Sequence, residues 1–230
     1  MNSARDSFER RLLQLKRRLM REAAVAVAML EASLHALWKL DVDAAKRVRR
    51  SDDRVDQEEV QIELQAYQLM TLEQPVARDF RILAFILKAN SDIERVADHA
   101  TSVAKLIPRF QKPIGAVRWP TALVELGERV PMCCHQLMRA VLEEDAGAAR
   151  TVVAADETID RLDQQLFREV VDLIGADPGA VNNGLLMYRI SRELERVGDL
   201  MASIAEEVVY LVTGEIIRHA GKNKHKATGS

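Results

Sequence analysis

The chain has 230 residues, of which 48% are apolar, 30% charged and 4% aromatic, a balance that fits a soluble globular fold rather than a disordered or membrane-embedded one. A formal net charge of -2, with basic residues scattered among acids except in the tail, gives no field for a polyanion, and nucleic acid is not indicated as a partner. The only cysteines, Cys133 and Cys134, are adjacent and suit two free thiols in a reducing cytoplasm, and no targeting segment or membrane span is evident, since the most apolar window, AAVAVAMLEASLHAL, is broken by Glu31 and His35.

Helical periodicity runs almost throughout. Phe8, Leu12, Leu15, Leu19, Ala23, Ala26, Leu30, Leu34 and Leu37 recur at three- and four-residue spacing, and Asp41 and Asp43 supply a stop and an N-cap. A second helix is expected from about Ala44 to Leu72, ended by EQPVARD, where Pro75 excludes further helix. A third runs from about Asp79 to Ile107, with Ile82, Ile86, Ala89, Ile93, Val96, Ala100, Val103 and Ile107 as a stripe that demands partner helices. PRFQKPIGAVRWP then reads as a linker. Beyond it, helices are expected over about Pro120 to Leu142, Ala146 to Ile174 and Leu185 to Val212, with GADPGAVNNG as a loop before the last.

The second half replays the first. Asp52 and Asp56 align with Asp156 and Asp160 at an offset of 104, and Glu94 and Asp98 align with Glu195 and Asp199 at an offset of 101. The three-residue difference is assigned most simply to the interhelical loop. Between Ser91 to Lys105 and Arg192 to Glu206, six of fifteen positions are identical, and shared order and spacing mark an internal repeat. The expected fold is therefore all-α: two tandem, pseudo-symmetric three-helix bundles over residues 1–110 and 118–214, with residues 215–230 as a flexible tail.

The repeated acids are costly for a helix, because carboxylates at i and i+4 repel by a few tenths of a kcal/mol. Asp52, Asp56 and Glu59 in one unit, and Asp156, Asp160 and Asp163 in the other, fall at i, i+4 and i+7 on the preceding helix. Gly198, in place of Ala97, would leave the surface beside its acids open. If the pairs on consecutive helices face each other, four carboxylates per unit need counter-charge, and oxygen-only ligation suits Mg²⁺, Mn²⁺, Ca²⁺ or iron. If they face apart, they are solvated flanks. His99 projects about 100° from Asp98 and is a weak ligand candidate. Arg78 and Asp79 could be capping charges or binding groups. No Glu-x-x-His pair, phosphate loop, nucleophile elbow or catalytic triad is found, and no enzymatic role is expected.

IERVADHATSVA and LERVGDLMASIA, the QPVARDFR loop, DDRVD and DETID, and AEEVVYLVTGE together resemble the PhoU family of bacterial phosphate-signalling regulators, over about residues 5–215. The resemblance implies metal clusters, of iron, Mn, Mg or Zn, held by E/D-x-x-x-D motifs. Carried over by position, the metal ligands are Asp52, Asp56, Glu94, Asp98, Asp156, Asp160, Glu195 and Asp199. It also implies negative control of the phosphate-starvation response and modulation of phosphate uptake through a phosphate sensor histidine kinase and the phosphate ABC transporter ATPase subunit. The expected protein is a homodimer, cytoplasmic, and peripheral to the inner membrane through its partners. Ser102 and Ser203 depart from the family Asn, and Leu200 from the family His, which bears on cluster stability or metal choice. A metal-buffering protein with no phosphate-signalling role is the competing reading.

Overall fold

The computed structural model describes residues 2–111 and 117–217, the side chains of residues 2–4 excepted. Six long helices account for most of them: α1 (Asn2–Lys39), α2 (Val42–Glu73), α3 (Arg78–Leu106), α4 (Thr121–Glu143), α5 (Ala146–Ala176) and α6 (Val181–Thr213). Single 3₁₀ turns at Ile107–Arg109 and Pro178–Ala180 complete the secondary structure, with no strand among the described residues. The middle of the expected linker, residues 112–116, and the expected tail from residue 218 lie outside the described residues. Before that point Glu215 pairs with Arg150 at 2.6 Å and Ile217 packs on the core.

Local chemistry sets the helix ends, and the repeat extends to it. Leu40 takes a left-handed conformation (φ 49°) after α1, and Asp41 then caps α2 by accepting from the Asp43 and Ala44 amides. The same turn recurs 104 residues later, where Glu144 is left-handed (φ 49°) and Asp145 accepts from the Gly147 and Ala148 amides. Glu144 is also clamped by Lys16 of α1 and Arg78 at the start of α3. Arg78 thus ties the two units together, while Asp79 lies 3.8 Å from Arg5.

The connection before α6 departs from the sequence expectation. Only Asp177 and the 3₁₀ turn are non-α, and α6 already runs through VNNG. Asparagine and glycine read as turn formers, but here Asn182 and Asn183 sit in the first helical turn and bond the backbone of Arg109 and Gln111. Gly184 is buried where a Cβ would stand 3.2 Å from Ile174 and Val170. Nor does the three-residue offset fall in the loop. Both connections span four residues, 74–77 and 177–180, and α5 ends one residue, and α6 begins two residues, nearer to its acids.

In each half the three helices pack on one another, and the halves join mainly along α3 and α6, with α1 also touching α4. The apolar cores of the two units merge into one cluster, in which Cys133 and Cys134 are buried free thiols. Polar pairs edge the α3–α6 seam: Lys88 with Glu207 at 2.9 Å, Ser203 donating to Asp92 at 3.1 Å, and His99 Nδ1 with Glu193 at 2.8 Å. His99 and Ser203 therefore serve the joint between the units.

The space beside Gly198 is occupied, not open. A Cβ there would meet Ile159 Cδ1 at 2.9 Å and Cγ2 at 3.1 Å. By the repeat, Ile159 and Gly198 replace Val55 and Ala97, so one methyl group has moved from the third helix of the unit to the second. We predict that Gly198→Ala alone destabilises by about 1–2 kcal/mol, overpacking outweighing the gain in helix propensity. Adding Ile159→Val, which rebuilds the Val–Ala pair, should recover most of that loss. Denaturant unfolding of the single and double variants checks the coupling.

Candidate cation site between the paired helices

The helix faces carrying the acids are turned toward each other. Glu94 on α3 is half-buried and lies in the combined field of Asp98 on its own helix and Asp52, Asp56 and Glu59 on α2. Burial first, and then these like charges, push its carboxyl up to about 7. Asp52 is also half-buried and raised, first by burial and then by the like charges of Asp98 and Asp56. Asp56 and Asp98 sit at the exposed rim. The first unit thus brings together Asp52, Asp56, Glu94 and Asp98, and adds Glu59.

The second unit repeats the arrangement with a difference. Glu195 is raised chiefly by burial, and Asp199, Asp163 and Asp160 add to the rise. Asp156 reaches the same face from α5, its Oδ1 lying 3.6 Å from the position of a Cβ on residue 198. Arg192, however, spans the acids, bonding Asp163 at 2.9 Å and Glu195 at 3.2 Å. Ser191 adds a 2.7 Å hydrogen bond to the buried Asp163. In the first unit Ser91 and Asn90 occupy those two positions, and Asn90 donates to the Glu59 backbone carbonyl.

The donor set suits a hard cation: every candidate ligand is a carboxylate, and Asp52 Oδ1 and Glu195 Oε2 are buried without a hydrogen-bond partner. Among the described residues no three acids, histidines or cysteines already stand at the mutual spacing of a closed metal site, so side-chain rotation would be needed to close one.

One acid in this field was not singled out in the sequence. Glu22 on α1 is only 3% exposed, neither of its carboxylate oxygens has a hydrogen-bond partner, and it faces Glu58, Glu59 and Glu94. Arg18, one turn earlier, is committed to a fork on Glu58 at 2.7 and 2.8 Å. The signal was present: the spacing from Leu15 and Leu19 reaches residue 22 before Ala26, which puts a glutamate on the core stripe.

A sequence model of the PhoU domain matches twice, over residues 19–107 and 123–208, covering both sets of paired helices. The chain belongs to the PhoU family. It is 34% identical over 192 residues to a phosphate-specific transport system accessory protein PhoU homolog of Deinococcus radiodurans, covering 81% of this chain and 87% of that one. It is 30% identical over 219 residues to the homolog of the same description from Pseudomonas aeruginosa, covering 95% and 90%. Its fold superposes on the crystal structure of PhoU from Pseudomonas aeruginosa with a TM-score of 0.86 at 29% identity, over 90% of this chain and all of that one. For the phosphate transport system regulatory protein PhoU from Streptococcus pneumoniae the TM-score is 0.84 at 27% identity, over 91% and 98%. No helix among the described residues is long and apolar enough to cross a membrane.

Burial, with Glu58, Glu59 and Glu94 as like-charged neighbours and Arg18 as a partial offset, pushes Glu22 up to about 8. Because the shift is upward, the fold retains a proton that the unfolded chain releases near pH 4.5. The destabilisation is absent below that pH and grows until the pH passes about 8. We predict that in chelator the melting temperature falls between pH 5 and 8, and that Glu22→Gln flattens the fall and gains more at pH 8 than at pH 5. Thermal melts across that range check both.

Proposed function

We propose that the chain is a non-enzymatic, metal-binding adaptor that represses the phosphate-starvation response and modulates phosphate uptake. In this reading it acts in the cytoplasm as a homodimer, contacting the phosphate ABC transporter ATPase subunit and a phosphate sensor histidine kinase. The observation that carries the reading is the double PhoU-domain match laid over two inward-facing acid sets. Relatives described as accessory and regulatory proteins of phosphate transport support it.

The residues suggest how one element could serve both metal and partner. On α2, Asp52, Asp56 and Glu59 address α3, while Val60, Leu64 and Tyr67, at i, i+4 and i+7, are each about half exposed, and Leu72, Val76 and Phe80 continue the apolar surface past the turn. An exposed apolar stripe of this kind marks a protein contact. A bound cation would supply counter-charge and fix the carboxylates. The acids and the stripe share one rigid helix, so anything that sets the rotation of α2 also sets the surface offered to a partner. The exposed rim of Asp56, Asp98 and Asp199 would equally allow ion exchange, which is what favours the metal-buffering alternative.

Three outcomes are expected. Deleting the gene should leave a phosphate-repressible phosphatase active in phosphate-rich medium, and normal repression without a paralogue would count against the regulatory reading. Glu94→Gln with Asp98→Asn should raise the melting temperature in chelator and remove most of the Mn²⁺-induced stabilisation of the first unit. That stabilisation is about 2.7 kcal/mol at a hundredfold over the dissociation constant. If the same double variant loses metal yet still represses the phosphatase, the adaptor does not depend on this site.

A further inference from the structure

Arg18 and Arg21 on α1 and Arg54 on α2 line one cleft of about 350 Å³, and none of the repeated motif acids takes part in it. Glu22 and Glu58 share its wall, which Val25 and Val55 complete. Positive charge is in excess there. Glu58 is answered by the two-bond fork from Arg18 at 2.7 and 2.8 Å. That fork first, and then the charges of Arg18, Arg21 and Arg54, hold the Glu58 carboxyl below its usual range against the burial that raises it, so all three guanidiniums act on one point. Arg21 commits its Nε–H to the Arg17 carbonyl at 3.3 Å, and neither Arg21 nor Arg54 has a carboxylate in ion-pair contact among the described residues. Glu22 is 3% exposed and neither of its carboxyl oxygens is hydrogen-bonded. Burial pushes it up to about 8, so at neutral pH it is a neutral donor without an acceptor and leaves the arginine excess intact.

The second unit shows that neither the fold nor the motif requires these arginines. At the offset of 104 shared by the matched turns and by Asp52 and Asp156, the places of Arg18, Arg21 and Arg54 fall to Ala122, Glu125 and Thr158. Leu126 and Leu162 stand where the first unit has Glu22 and Glu58. Guanidiniums gathered beyond what their carboxylate can answer repel one another until an anion joins them.

We propose that the cleft is an oxyanion site in which Arg21, Arg54 and the Nη1 of Arg18 bind a small dianion of the phosphate class, free phosphate or a phosphomonoester, while Glu22 donates to it from the wall. Planar guanidiniums present paired N–H groups to two oxygens at once, which suits a tetrahedral oxyanion. The site shares no ligand with the acid face and does not depend on the metal-binding reading.

The test is calorimetric titration of the full chain, in chelator and at physiological ionic strength, with inorganic phosphate in one arm and glycerol phosphate in the other. The two arms separate a free anion from a phosphoryl group carried on an ester. The unaltered protein should bind at least one of them saturably. Arg21→Gln and Arg54→Gln should each weaken that binding at least about tenfold. Glu22→Leu should weaken it too, whereas Glu22→Gln, which keeps a neutral donor, should leave it nearly unchanged. Arg50→Gln is the control: it removes the same charge from an exposed position one turn before Arg54 and outside the cleft, and should change little. Melting temperatures without ligand establish that each variant is folded. No saturable binding of either anion, binding that survives both Arg21→Gln and Arg54→Gln, or equal weakening by Arg50→Gln would overturn the site. Unchanged affinity in Glu22→Leu would remove Glu22 from it.

Discussion

Like charges held together inside a helical core are the constraint around which this fold is arranged. A carboxylate that keeps its charge while losing water must gain a partner, a proton or a cation. Glu22, Glu94 and Asp52 have given up much of their solvent without gaining a basic side chain of their own. The cost is borne by the apolar packing on either side, where Ile62, Ala66, Ile86, Ala89, Val96 and Ala100 are almost fully buried on the same helices. Small residues at the helix contacts, Ala97 in one unit and Gly198 in the other, bring the helices close enough for the acids to feel one another.

The seam between the units connects this local electrostatic problem to the whole molecule. Each unit contributes its third helix, and with it the acids of the repeated motif, to both its own bundle and the joint. Glu94 and Asp98 address α2 within the first unit, while Asp92 and His99 on the same helix reach α6. A shift of α3 that closes the acids on an ion therefore moves the His99–Glu193 and Asp92–Ser203 contacts as well. Burial raises the Glu193 carboxyl, but the His99 pairing together with the nearby Arg196 and Arg189 outweighs it and holds the group below its usual range. That pairing contributes stability at neutral pH that is lost as the pH falls through its lowered pKa.

Helix number, repeat and acid register were legible because each rests on periodicity: a 3.5-residue stripe, a Pro-marked turn, and acid pairs recurring in order. The rotation of the acid faces was not, since a flank position on a helical wheel turns inward or outward according to which neighbours pack against it. Asn182, Asn183 and Gly184 misread as a loop because local propensity yielded to tertiary partners, the backbone of Arg109 and Gln111 and the side chains of Val170 and Ile174. Gly198 misread as open space because a single chain position does not reveal that Ile159 grew as the glycine shrank. Glu22 was visible as an acid on a core stripe, but its meaning depended on Arg18 being taken by Glu58, a pairing across 40 residues.

Anomalous diffraction at the manganese edge from crystals grown with Mn²⁺ tests most directly whether the inward acids are a cation site rather than a solvated flank. Peaks between α2 and α3, bounded by Asp52, Asp56, Glu94 and Asp98, and between α5 and α6, bounded by Asp156, Asp160, Glu195 and Asp199, are the predicted result. An anomalous map with no peak at either acid face, while the carboxylates keep the positions described above, would contradict it.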